Sequence, residues 1–286
     1  MFYVFISPWL VGFFGLTLLP MLISLYTGFT KWNGIGGTTF IGARNYHDLF
    51  TQDSLFATAI VNTLYYAVAS VVLGVAFALF LAILLNQKFA GRSFFRVVFF
   101  LPYVVTGIPV FVIWTWLFNP QYGPFNYWLG LFGIHGIEWL NSPSTAMPSL
   151  ILMSLTGIGA MMVVFLAGLQ NIPTELYEAA RMDGAGTLTQ AFKVTIPMLS
   201  PIILFNAIWA IIGSLQIFAQ PYVMTAGGPE NATLTIGLYL YQMAFTYYQF
   251  GYASAIAWVL FALTLAFSLL VFWLTRKRVY YEGGPA

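Results

Sequence analysis

Charge is missing from six long stretches of this chain, and that pattern limits what it can fold into. Residues 1–30, 54–87, 97–137, 139–174, 194–229 and 231–275 contain no Asp, Glu, Lys or Arg. A helix needs about 20 apolar residues to cross the hydrocarbon layer, so each window has room for one. The spacing places spans near Tyr3–Tyr26, Ala59–Leu85, Phe95–Phe118, Met147–Leu169, Ile202–Met224 and Ser254–Leu274. The runs are continuously apolar, which points to helices; a membrane β-barrel would show short alternating segments. The expected fold is an all-α, polytopic membrane protein with six transmembrane helices.

Composition excludes most alternatives. Charged residues make up 6% of the 286, against about 25% in an ordinary soluble domain, too few to cover a water-soluble surface. No cysteine is present, so disulfides, thiolate metal sites and a Cys nucleophile are excluded. The two histidines, His47 and His135, lie in different loops without a clustered third ligand, so no metal site is expected. A net charge of +2 is too small to suggest a nucleic-acid partner. The first window lacks a basic lead and exceeds a signal-peptide core in length; it reads as a retained span.

Orientation follows from the basic residues. Lys88, Arg92, Arg96, Arg181, Lys193, Arg276, Lys277 and Arg278 fall on one predicted side, and only Lys31 and Arg44 on the other. Loops rich in Lys and Arg stay cytoplasmic, so both termini are expected inside. Trp32, Trp114, Trp116, Tyr122, Trp128 and Trp139 sit near the predicted outer ends of spans, where interfacial aromatics belong. In the outer loops Asn119-Pro120 starts a turn, and Ser142-Pro143 reads as an N-cap with Pro at the first helical position. Asn231-Ala232-Thr233 matches the glycosylation sequon, a pattern too short to carry weight.

The inner loop from Gln170 to Ser200 is different. It holds five charges, Glu175, Glu178, Arg181, Asp183 and Lys193. Pro173 can open a helix, with Glu175 and Glu178 near its positive end, and Gly184 is the natural stop. Thr187 and Gln190 have capping-box spacing for a second short helix, which Pro197 and Pro201 end or kink. Small residues at Ala179, Ala180, Gly184, Ala185 and Gly186 would let another protein's backbone approach. Two readings fit this loop, a solvated connector or a docking element; its length and structure favour docking.

Here the sequence resembles a known family. Glu178-Ala179-Ala180, then Gly184, then Val194-Thr195-Ile196-Pro197 is similar to the EAA motif of ABC importer permeases. Gly91-Arg92-Ser-Phe-Phe-Arg96, Phe99-Phe100-Leu101-Pro102, Trp116-Leu-Phe-Asn-Pro120, Gly227-Gly228-Pro229 and Phe250-Gly251-Tyr252-Ala253-Ser254-Ala255 resemble the sugar-type subgroup, in particular the first permease of maltose- and glycerol-phosphate-type systems. The resemblance implies a type I ABC importer permease fold over 1–286, with 171–200 as the cytoplasmic EAA coupling loop. It implies a second permease, two copies of a cytoplasmic ABC ATPase and an extracytoplasmic solute-binding protein, in a prokaryotic inner membrane. It assigns Glu178, Ala179, Ala180, Asp183 and Gly184 to coupling. No Gly-x4-Gly-Lys-Ser/Thr pattern occurs in this chain. ATP and Mg are therefore expected on the partner ATPases, with no cofactor in this chain and no enzyme activity of its own.

Apart from Arg96 at the edge of the third, the spans carry no Asp, Glu, Lys or Arg, which argues against a proton-coupled carrier and favours a neutral substrate. Neutral polar groups remain: Tyr103 in the third span, Thr156, Gly157 and Gly159 in the fourth, and Asn206, Ser214, Gln216 and Gln220 in the fifth. Sugars bind through hydroxyl hydrogen bonds and aromatic faces, so these residue types suit them. The resemblance places Tyr103, Thr156, Gly157 and Ser214 at sugar-contacting positions; Gly107 and Ala160 fall where a sugar-binding relative has larger side chains. The same residues also have structural readings: the glycines as helix contacts, Gln216 as an interhelical hydrogen bond, Tyr103 as an interface aromatic. The expected substrate is a neutral di- or oligosaccharide. The alternatives are glycerol phosphate or another polyol ester on the same machinery, an ion-coupled carrier, or an intramembrane enzyme.

Overall fold

A computed structural model describes residues 2–105, 107–134 and 136–275. His135 and the basic trio Arg276, Lys277 and Arg278 lie outside the described residues.

The chain is helical nearly throughout. Its helices are α1 (Phe2–Gly12), α2 (Leu19–Thr27), α3 (Arg44–Thr51), α4 (Ser54–Asn86), α5 (Arg92–Val104), α6 (Ile108–Leu117), α7 (Pro124–Leu131), α8 (Pro143–Ser154), α9 (Gly159–Gln170), α10 (Thr174–Met182), α11 (Thr187–Gln190), α12 (Ile196–Met198), α13 (Ser200–Leu215), α14 (Ala219–Met224), α15 (Ile236–Tyr241) and α16 (Phe250–Thr275). A two-residue antiparallel ribbon, β1 (Thr30–Lys31) with β2 (Thr39–Phe40), pairs Thr30 with Phe40. The segments Phe13–Leu18, Ala191–Thr195 and Gln242–Thr246 widen into π turns.

Among the described residues, four helical stretches are long and apolar enough to cross a membrane: Phe5–Thr27, Ser54–Asn86, Pro143–Gln170 and Phe250–Thr275. Two bent pairs, α5 with α6 and the Thr187–Met198 segment with α13, bring the count to six if each crosses as one span. The fifth span is shorter than the Ile202–Met224 stretch that apolarity suggests. Helix α13 stops at Leu215, and α14 starts afresh at Ala219. Pro221 explains the break. It has no N–H to give the Ile217 carbonyl one turn back, and that carbonyl accepts instead from Thr235 Oγ1 at 3.0 Å. The third span is likewise two helices, parted around the left-handed Gly107 (φ +92°).

Helix α4 is the central post. Its N-terminus is capped by Asp53, whose Oδ1 accepts from the Phe56 N–H at 2.9 Å, and it packs against α8, α9, α13 and α15. Its lower half is sealed by Ala78, Leu81, Ala82 and Leu85 against Met162, Phe165, Leu166 and Leu199. Its upper half packs Tyr66 with Phe118, Met147, Leu150 and Met224. Outward-facing residues such as Val61, Val68, Val72 and Phe80 are exposed and apolar, as a lipid-facing side requires. Ser142 takes the N-cap position before Pro143, through its carbonyl; its hydroxyl meets Ser144 instead.

Candidate functional site

A cavity of about 610 Å³ lies between α4, α5, the α8–α9 span, α13 and α14. Tyr103, Gly157 and Ser214 line it, together with Tyr66, Ser70, Ser154, Phe205, Asn206, Trp209 and Gln220. None of its lining residues is charged. Of the other two candidate contacts, Thr156 turns its hydroxyl back onto the Met153 carbonyl at 2.7 Å within a short 3-10 turn and is not in the wall. Gln216 is the exposed C-cap residue of α13 and also lies outside the wall. Gln220, one turn further on, is in it.

The two glycines of the fourth span have separate places. A Cβ on Gly157 would meet nothing within 4 Å. A Cβ on Gly159 would lie 2.8 Å from the Phe99 carbonyl oxygen and 2.9 Å from the Phe100 Cα. Gly159 is thus where the third span presses its backbone onto the fourth, and that contact holds Tyr103 over the cavity. Tyr103 is 44% exposed, an open phenol rather than a packed one. Asn206 is 5% exposed, and its Nδ2 is buried without a partner.

The second assembly is the loop after α9. Helix α10 starts behind Pro173, with Glu175 in its first turn. It ends on a Schellman motif. The Ala185 N–H donates to the Ala180 carbonyl and the Gly184 N–H to the Arg181 carbonyl, both at 2.9 Å, with Gly184 at φ +78°. This satisfies two carbonyls that the helix end would otherwise leave unpaired. The capping box expected at Thr187 does not form. Gly186 occupies the N-cap position, and Gln190 reaches back with Nε2 to the Ala185 carbonyl at 2.8 Å. Gln190 thereby braces the turn itself. Glu178, Ala179, Asp183 and Gly184 are exposed and Ala180 is half-buried. Met182, Leu188 and Phe192 are 88%, 76% and 69% exposed, and the same loop forms a notch lined by Ala179, Ala180, Asp183, Gly184, Thr189 and Lys193.

A third feature went unread in the sequence. Asp53 Oδ2 accepts from the hydroxyls of both Tyr239 and Tyr252, joining α4, α15 and α16 at one end of the bundle. Burial first, then the bond to Asp53, raises the Tyr239 phenol well above its ordinary pKa. The spacing of 186 residues between the partners leaves no local signal.

Residues 74–279 match the family of binding-protein-dependent transport system inner membrane components. The chain belongs to that family. This permease is 38% identical over 98% of its length, and 92% of the relative's, to the "Probable ABC transporter permease protein YesP" of Bacillus subtilis (strain 168). It is 32% identical over 97% of its length, and 94% of the relative's, to the "Probable starch degradation products transport system permease protein AmyD" of Thermoanaerobacterium thermosulfurigenes. Its fold matches a chain in the crystal structure of a bacterial alginate ABC transporter in complex with an alginate pentasaccharide-bound periplasmic protein. That match has a TM-score of 0.84 at 22% identity, and covers 96% of this permease and 94% of that chain. The fold is therefore that of an ABC importer permease, a multi-pass inner-membrane protein. As a permease it is a transport component rather than an enzyme.

Proposed function

We propose that this permease forms, with a second permease, the path for a neutral di- or oligosaccharide delivered by an extracytoplasmic solute-binding protein. Two copies of a cytoplasmic ABC ATPase drive the cycle, binding ATP and Mg, and dock on residues 171–200 through Glu178, Ala179, Ala180, Asp183 and Gly184. The chain acts as one transmembrane domain in a prokaryotic cell membrane with both termini cytoplasmic.

The observation that carries this reading is the cavity. Its wall mixes hydroxyls, amides and the aromatic faces of Tyr103, Phe205 and Trp209, and contains no charge. A phosphate ester would need a cation or a helix N-terminus to replace its water; a sugar needs only neutral partners. The coupling loop leads directly into α13, whose residues line the cavity, so a movement of the loop reaches the wall through one helix. The starch-product assignment of one relative agrees with a neutral sugar.

The test is uptake by proteoliposomes holding the complete complex with ATP inside and the binding protein outside. The panel is maltose, trehalose, maltotriose, raffinose and glycerol 3-phosphate. The expected result is ATP-dependent uptake of one of the neutral sugars. Uptake of glycerol 3-phosphate alone would favour the polyol-ester alternative.

A further inference from the structure

The serine hydroxyls of the cavity wall have spent their donors. Ser70, Ser154 and Ser214 donate their protons to carbonyls of their own helix, those of Ala67, Ile151 and Ile211. The oxygens of Ser70 and Ser214 remain acceptors, so they suit the hydroxyl protons of a substrate; the Ser154 hydroxyl also meets that of Tyr66. A polyol also presents oxygen lone pairs, and these need donors. Asn206, also in the wall, has its Nδ2 buried.

One amide is set differently. Gln220 stands in the wall where α14 begins, past the end of α13 and opposite to the coupling loop. Tyr66, 4% exposed on α4, donates its hydroxyl to Gln220 Oε1 at 2.8 Å. A carboxamide has one acceptor oxygen and two N–H donors. With the oxygen held, the amide plane is fixed, and Nε2 keeps both donors on a half-exposed side chain of the cavity wall. A Phe–Leu pair would fill the same space without placing two polar groups inside a membrane protein, so packing alone does not call for this pair.

We infer that Gln220 is a substrate-contacting, specificity-determining residue at the α14 end of the cavity, donating to a hydroxyl or ring oxygen, and that Tyr66 is the positioning residue that orients it. The inference rests on the neutral-saccharide reading above. It assigns to Gln220 the role that sequence alone gave to Gln216.

The experiment uses the reconstituted full complex with the neutral sugar of the panel that wild type imports fastest. Gln220→Met keeps the volume and removes both donors. The expected result is maximal uptake lowered about two- to ten-fold, the range one hydrogen bond supports. Half-saturation, which the binding protein sets, and ATP hydrolysis stimulated by the loaded binding protein should stay at wild-type values. Tyr66→Phe should lower uptake in the same way, and should add nothing in the Gln220→Met background, because it acts through Gln220. Gln220→Leu, which also removes both donors without adding a charge, covers the case in which Gln220→Met fails to assemble. Wild-type uptake by both Gln220 variants overturns the inference, as does a further loss from Tyr66→Phe in the double variant. A wild-type complex that imports none of the panel overturns the saccharide reading and this inference together; a working wild type matched by its variants overturns this inference alone.

Discussion

The Tyr177 and Thr195 hydroxyls lie 3.1 Å apart, across 18 residues of chain. This bond pins α10 to the π turn that leads through α12 into α13. Thr195 is buried and its hydroxyl also lies 3.4 Å from the Gln190 carbonyl. The loop after α9 is therefore braced to the fifth span rather than hung from it, which suits the proposed role of passing force. Tyr177→Phe and Thr195→Val should each lose about 0.5–1.5 kcal/mol of this brace. The expected readout is fewer sugars imported per ATP hydrolysed, with unchanged membrane insertion. Equal stoichiometry in both variants would reduce the bond to local packing.

The glycines of the fourth span make an opposed pair of predictions. Gly159→Ala pushes a methyl into the backbone of α5 and should cost about 1–3 kcal/mol by overpacking, lowering the melting temperature of the purified complex. Gly157→Leu projects into open space; it should leave melting unchanged and reduce uptake by narrowing the cavity. Melting curves of the two variants side by side decide the matter, and a reversed order would mean the span is rotated.

Asp53 anchors one end of the bundle. Asp53→Ala removes the cap of α4, worth about 1 kcal/mol, and the shared acceptor of Tyr239 and Tyr252. Asp53→Asn keeps a capping oxygen and should be milder. The pH dependence follows from the raised Tyr239 phenol. Its contribution is present below the ordinary phenol pKa of about 10 and is lost as pH rises above it, because the unfolded chain ionises first. Thermal melts at pH 8 and pH 11 should show a larger drop for wild type than for Tyr239→Phe.

Orientation has its own test. Single cysteines at Gly91 and Gly130 should behave oppositely towards an impermeant thiol reagent added to whole cells, Gly130 labelling and Gly91 resisting. Rapid labelling at Gly91 would invert the proposed topology.

Much of this was legible from the sequence because charge is costly in lipid: the six uncharged windows contain the four long apolar helices and overlap both bent pairs. The stop at Gly184 was legible too, since a left-handed cap favours glycine. The breaks inside the windows were not. A charge-free run says where chain can lie in a membrane, not whether it stays one helix, and Pro221 was the sign that α13 had already ended. With α13 ended there, Gln220 rather than Gln216 lines the cavity. The tie of Asp53 to Tyr239 and Tyr252, and of Tyr66 to Gln220, joins residues more than 150 positions apart, and no local pattern encodes such pairs.

The central claim is that hydrolysis on a partner ATPase drives sugar through this permease by way of the loop at Gly184. Gly184 is left-handed at φ +78° with open space beside it, so Gly184→Val acts through backbone strain at the turn that shapes the proposed docking surface. The decisive measurement is sugar accumulated per ATP hydrolysed in proteoliposomes with ATP trapped inside, wild type against Gly184→Val, with a cysteine at Ala180 reporting cross-linking to the ATPase. The account predicts concentrative uptake by wild type, a cross-link from Ala180, and ATP hydrolysis with little or no uptake in Gly184→Val. Wild-type uptake by Gly184→Val with no cross-link from Ala180, or accumulation driven by an ion gradient without ATP, would contradict it.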